Sequence, residues 1–228
     1  MDEAIKRDPN RFDAYLAIGV FNFYAANLPP GLGFLAGLLG LSGNEPLGLS
    51  QLDKASSNPS WLKSHASFIL TYAYGMTKKN YVLAEKYLNQ LHAQYPDNPH
   101  FLFLKGEYAQ RAKLFDKSRQ NFAQFFSFCD ARPKKCTQNY YFLANYFLGT
   151  GYGQEKKFAE AKPYLKKAME LDVKQYLDRE SFLALYWGMV LKAEGKKDEA
   201  RGFFQKSIDA PGGNPEAKEM ARKELGAP

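Results

Sequence analysis

FLALYWGMVLKAEGKKDEARGFFQKS, residues 182–207, decides how this chain is read. Gly188 stands inside an apolar run, Ala200 follows twelve residues later, and Phe204 and Ser207 come four and seven residues after Ala200. That spacing predicts two short helices packed as an antiparallel pair, with small residues where they touch and large ones filling between them. The pattern recurs upstream. Gly106 goes with Ser118, Phe122 and Phe125; Gly149 goes with Ala161, Leu165 and Ala168. Tyr72, in the place of the glycine, goes with Ala84, Leu88 and Leu91. The leading residues are 34, 43 and 39 positions apart. A period of this size marks an array of helix pairs, each burying its apolar face on the next.

Aromatic residues stand three before the small residue of the second helix at Tyr81, Phe115 and Phe158, with Lys197 departing, and Tyr95-Pro96 closes one copy. With these features the stretch from about 60 to 226 resembles the tetratricopeptide repeat family. The resemblance implies an all-α fold: a right-handed α-solenoid of antiparallel helix pairs, wound as a superhelix and closed by a C-terminal capping helix. It also implies a non-catalytic interaction scaffold. Four pairs are expected within 59–210: Trp61–Thr77 with Tyr81–Gln94, Pro99–Ala112 with Asp116–Phe128, Thr137–Thr150 with Ala159–Leu171, and Arg179–Ala193 with Lys197–Ile208. Pro215–Leu225, polar on most faces, reads as the solvating cap of segment 211–228, and the whole as one continuous solenoid. The two longer intervals place enlarged loops around Cys129–Cys136 and near Asp172–Asp178.

Residues 1–58 read as an irregular first repeat. The opening MDEAIKRDPN resembles the tail of a preceding repeat, so the chain is read as a piece of a longer protein. A helix over 11–27 ends at Leu28-Pro29-Pro30-Gly31, because proline removes a donor and restricts the residue before it. A short apolar helix, Leu32–Leu41, then a Ser-Gly-Asn-Glu-Pro turn and a helix over Leu47–Ser56 follow. The insert also resembles a divergent eukaryotic tetratricopeptide family with the same Leu-Pro-Pro break, Gly/Leu-rich helix and Ser-Gly turn. From Ala14 to Asn44 no residue is charged. The plain reading is a buried hairpin capping the N-terminal end. The alternative is a lipid- or membrane-surface module using the Gly31–Leu41 hairpin. Neither arm reaches the roughly 20 apolar residues that span a bilayer.

The net charge of +7 favours acidic partners or anionic surfaces. Lys78-Lys79, Lys113, Lys156-Lys157 and Lys196-Lys197 all fall in the turn between the helices of a pair, which predicts a basic edge. The edge is suited to an acidic protein or to lipid head groups, and ordinary solvated lysines are the plainer account. With few arginines to read bases, nucleic acid is not an expected partner. In the family, the first helix of each pair lines a concave groove. The matching positions are Ile69 and Ala73, Phe103 and Glu107, Tyr146 and Thr150, and Leu185 and Met189. They are apolar and aromatic, suited to an amphipathic segment and lacking the Lys, Asn and Arg that grip a peptide carboxylate. Tight packing that closes the groove is the other reading, and homo-oligomerisation through exposed aromatics is a third role.

No catalytic signature, cofactor site or metal site is expected. Gly149–Lys156, GTGYGQEK, fails the phosphate-loop test because Lys156 sits three residues past the last glycine and no strand precedes it. His65, His92 and His100 lack ligand spacing. Cys129 and Cys136 flank DARPKK between two helix ends and are candidates for a disulfide. A bridge points to a periplasmic or secreted, soluble protein; two free thiols point to the cytoplasm.

Overall fold

The computed structural model of the chain describes residues 2–171 and 177–226. Among them are thirteen α-helices and no strand, and neighbouring helices pack as antiparallel pairs of a helical-repeat solenoid. The expected loop near Asp172–Asp178 lies largely outside the described residues. The chain divides into two compact units, Met1–Asp97 and Asn98–Pro228.

The first unit holds α1 (Asp2–Arg7), α2 (Phe12–Ala26), α3 (Pro30–Leu38), α4 (Glu45–Ser57), α5 (Lys63–Tyr72) and α6 (Tyr81–Gln94). Asn44 and Asn80 start α4 and α6 by accepting the Leu47 and Leu83 amides at 3.0 and 3.1 Å. α2 pairs with α4, and α5 with α6. Gly19 of α2 lies against Leu52, four residues beyond Gly48 of α4, which repeats the offset of Ala200 and Phe204. Gly19 and Gly48 are 29 residues apart where the other copies have twelve. The first repeat is therefore a pair like the rest, its turn carrying an excess of 17 residues that includes α3. Phe23, Leu52, Leu70, Ala73 and Tyr87 make one part of the core, and Tyr15, Ala55 and Ala66 another.

Two expectations fail here. The apolar insert is no buried cap: α3 buries none of its residues. It also starts at Pro30 rather than Leu32, because proline is pre-organised for the first helical position, where its missing donor costs nothing. Second, Tyr72 does not replace the glycine of its repeat. α5 runs into a π-helical turn, Ala73–Thr77, and the Asn80 amide bonds back to the Tyr74 carbonyl. The equivalent bonds elsewhere, Leu114 to Ala109, Lys157 to Tyr152 and Lys196 to Leu191, close a turn one residue shorter. The π turn absorbs the extra residue. Thr71, small and wholly buried, faces inward, while the half-buried Tyr72 turns outward with its ring 4.9 Å from that of exposed Phe68.

The second unit stacks α7 (Pro99–Arg111) on α8 (Phe115–Ala131), α9 (Gln138–Gln154) on α10 (Phe158–Glu170), and α11 (Leu177–Ala193) on α12 (Lys197–Asp209). α13 (Pro215–Leu225) covers the last pair, burying Ala217 and Ala221 against Leu185 and Phe204 and leaving polar residues outward. Asn98-Pro99 and Asn214-Pro215 open α7 and α13, combining an Asn cap with proline at the first position.

The α2–α4 contact yields a stability test. A methyl on Gly48 would sit 2.5 Å from the Phe23 amide nitrogen and 2.9 Å from the Gly19 carbonyl, both rigid backbone. Gly48→Ala should destabilise the protein by about 1–3 kcal/mol by overpacking, even though alanine is the better helix former. Urea unfolding reads it, and an unchanged midpoint would mean the helices can separate freely.

Candidate interaction surface

The residues matched to a groove are mostly interior. Phe103 sits within a ring cluster, its centroid 5.9 Å from Phe122 and from Phe125, 5.5 Å from Tyr140 and 6.2 Å from Phe147. Tyr146 is buried, with its ring 5.3 Å from Phe147 and the Arg179 guanidinium 5.7 Å over its face. Burial pushes its phenol well above the usual range. The Thr150 hydroxyl donates to the Tyr146 carbonyl at 2.8 Å, inside its own helix. The Glu107 carboxylate accepts two bonds from Arg111, at 2.9 and 2.7 Å. Leu185 is in the core under α13, with Met189 half-buried beside it. In the first unit, Ala73 and half-buried Ile69 pack against the Phe23–Leu52 cluster.

The sequence carried a signal for this. Between Gln138 and Gln154, α9 has no charged residue, and α7 runs Phe-Leu-Phe-Leu from 101 to 104. A helix without a polar face belongs in an interior rather than along a solvent-facing groove.

The glycine-rich stretch is likewise structural. α9 extends through Gln154, so Gly149, Gly151 and Gly153 are all helical and meet three different neighbours. An added methyl would fall 2.7 Å from Leu165 of α10, 2.5 Å from the Gln110 amide of α7 and 2.4 Å from the Tyr186 ring of α11, respectively. Each glycine answers one packed helix, and no phosphate loop is formed.

The turns between paired helices are where the structure gathers exposed, repeated features. Lys79, Lys113, Lys156 and Gly195 each stand five residues before the small residue of the second helix. All four adopt the left-handed conformation, with φ of 51°, 60°, 61° and 80°. They end the first helix as Gly-type caps do, and the following amide reaches back to complete the motif. All seven lysines of the expected edge are exposed. Lys78 pairs with Glu45, Lys157 with Glu155 at 2.8 Å and Lys196 with Glu194 at 3.2 Å. Lys79, Lys113, Lys156 and Lys197 make no ion pair among the described residues.

In the second unit a further ion pair repeats in phase. Arg119 of α8 reaches Glu155, and Lys162 of α10 reaches Glu194, each basic residue following its repeat's small residue by one. Burial acts to raise the Glu155 carboxyl, but the bonds from Arg119 and Lys157 outweigh it and hold it low. These pairs tie one repeat to the next, and Lys113, Lys156 and Lys197 stay exposed and outside them.

Cys129, buried at the end of α8, is bridged to Cys136, with Cα atoms 5.6 Å apart. A single 3₁₀ turn, Pro133–Lys135, spans the loop between them. A cleft of about 520 Å³ in the first unit is lined by residues 10–13 and 59–61. Its one carboxylate, Asp13, is already engaged by the Ser60 hydroxyl and the Leu62 amide. No helix among the described residues is long and apolar enough to cross a membrane.

A family model described as Iml2/Tetratricopeptide repeat protein 39 matches residues 14–132, just over half of the chain. The match runs from the start of α2, through the α3 insertion, to the end of α8.

Two measurements test this geometry. A β-carbon in the left-handed region costs roughly 1–2 kcal/mol, and the added freedom of glycine in the unfolded chain takes back about 0.4–1 kcal/mol, so Lys113→Gly and Lys156→Gly should each raise stability by up to about 1 kcal/mol. A lower melting point in both variants would show that the lysine side chains stabilise the turns. For the cysteines, unreduced denatured protein should show no free thiol. Removing the bridge with Cys129→Ala and Cys136→Ala should cost about 2–3 kcal/mol on the chain-entropy account of so short a loop. Two titratable thiols would refute the pairing.

Proposed function

The chain belongs to the Iml2/Tetratricopeptide repeat protein 39 family, and from that premise we propose that it is a scaffold for protein–protein contact without chemistry of its own. Its contact surface in the second unit is the edge made by the turns between paired helices, and its partner presents acidic side chains there. The observation that carries this reading is a set of exposed lysines without ion pairs among the described residues: Lys113 and Lys156 at the left-handed position of two successive turns, and Lys197 opening α12 just after the third. The repeated ion pairs Arg119–Glu155 and Lys162–Glu194 hold those turns in a fixed order. Lysine is well suited to meeting many acidic side chains weakly, since each is a mobile point charge rather than a rigid fork.

The burial of Phe103, Tyr146, Thr150 and Leu185 argues against a partner laid along the first helices. Such a partner would have to displace a packed aromatic cluster before gaining any contact of its own.

The test is quantitative co-purification from the native source with wild-type protein and with Lys113→Glu/Lys156→Glu/Lys197→Glu. Wild-type protein should retain acidic proteins that about 0.5 M salt releases, since screening at that strength removes exposed charge pairs. The triple variant should lose them at least tenfold, with an unchanged melting point. Retention of the same proteins by the variant would overturn the lysine edge as the contact surface.

A further inference from the structure

The 17 extra residues in the first turn make a protrusion with a closed neck. The Asn22 side-chain amide donates to Gln51 Oε1 at 2.9 Å across α2 and α4, and the Asn27 amide donates to the Phe23 carbonyl at 2.8 Å. Gly43 presses so closely on α2 that a methyl there would lie 2.3 Å from the Ala26 nitrogen. Beyond the neck, α3 stands out: Phe34 and Leu38 are each 69 % exposed and Leu39 is 76 % exposed.

From Pro29 to Leu41 no residue is polar. Leu32, Leu35 and Leu39 occupy one side of the helix, Phe34 and Leu38 the next, and glycine and alanine the remainder. A docking groove takes one apolar face of a helix whose other face is polar. A helix with no polar face belongs in a protein interior or in lipid, and α3 is not in the interior.

Charge selects the same occupant. The nearest charges in sequence are Asp13 and Glu45, and Glu45 is neutralised by Lys78. Lys79, next along that turn, has no ion pair among the described residues, so the base of the protrusion is net positive. Tyr24 and Phe21, exposed on the outer part of α2, suit the interfacial layer that aromatic rings favour.

We propose that α3 is a membrane-insertion element that enters one leaflet of an anionic phospholipid bilayer, with the Lys78-Lys79 turn at the head groups. Nine helical residues extend about 14 Å, under half of a hydrocarbon core of about 30 Å. Both ends of the insertion return to the same neck, so it dips into the bilayer and does not cross it. One short apolar element gives weak, reversible binding, and the basic turn supplies the second signal.

The experiment uses the whole chain with Leu38→Cys carrying an environment-sensitive fluorophore. The two native cysteines are bridged and leave the new thiol as the single labelling site. Vesicles of phosphatidylcholine, with and without about 30 % phosphatidylserine, are the probe. The label should shift to the blue and brighten severalfold on the anionic vesicles, while a label at Gln205→Cys, exposed on α12, should not respond. Leu35→Asp/Leu38→Asp should float with vesicles at least tenfold less than wild type, and Lys79→Glu should weaken binding to anionic vesicles alone. A silent label at position 38 overturns the proposal. So does a response that follows only protein concentration, which makes the occupant a second copy, or one that needs an added protein extract. Should the aspartate variant not fold, the label still decides.

Discussion

Four of the five helix pairs hang on one contact: a glycine backbone set against the side chain four residues past the small residue of the partner helix. It occurs at Gly19 with Leu52, Gly106 with Phe122, Gly149 with Leu165 and Gly188 with Phe204, with the glycine's missing methyl 2.7–2.9 Å from its partner in every case. No side chain could stand at those glycines without forcing the helices apart. The contact therefore sets the separation within a pair, and the three glycine pairs without an insertion are joined by the same short turn. That turn needs a left-handed residue at one position. In those three pairs the chain supplies lysine there twice, at Lys113 and Lys156, and glycine once, at Gly195, so the close approach of two helices determines where these two lysines stand.

This contact was also what made the fold legible. A small residue, another twelve positions on and a large one four beyond that is a direct imprint of the packing, and three of the four glycine contacts show it without interruption. The first pair hid it because 17 residues intervene between Gly19 and Gly48, which leaves the small residues in place and destroys only the interval. The slip at Tyr72 has a different origin. A π turn adds one residue without altering composition, and the count from Ala84 then lands on the outward neighbour of Thr71.

The candidate site was less legible, for a reason that α9 makes plain. The positions matched by resemblance assume that the first helix of each pair has one free face. Gln138–Gln154 has no polar face to offer, and glycines at 151 and 153 admit Gln110 and Tyr186 into direct contact with its backbone. Those residue types report burial on several sides. Weighing the missing charges of α9 above the matched positions would have placed Tyr146 and Thr150 in the core. Of the seven lysines, six lie in the turns and Lys197 opens α12, positions that follow from the interval alone. Their left-handed backbone could not be anticipated, since lysine has no preference for it.

When the first helices are packed on more than one side, the turns become the cheapest place for new surface. Lengthening a loop costs only slowly more closure entropy, provided the helices at its base still meet. Gly43, Gly48 and the Asn22–Gln51 bond keep them together in the first repeat, so an apolar helix can be carried outward while the α2–α4 contact is preserved. The same logic holds for single residues. A lysine in a left-handed turn strains the backbone slightly, yet its side chain leaves the core untouched and stands clear of the neighbouring helices. Both the inserted helix and the strained lysines are departures from what folding alone would favour, and both lie at the turns. In this protein, surface open to change and surface required for packing are separated along the helix pairs: the close contacts govern the interior, and the connecting turns carry what the packing does not use.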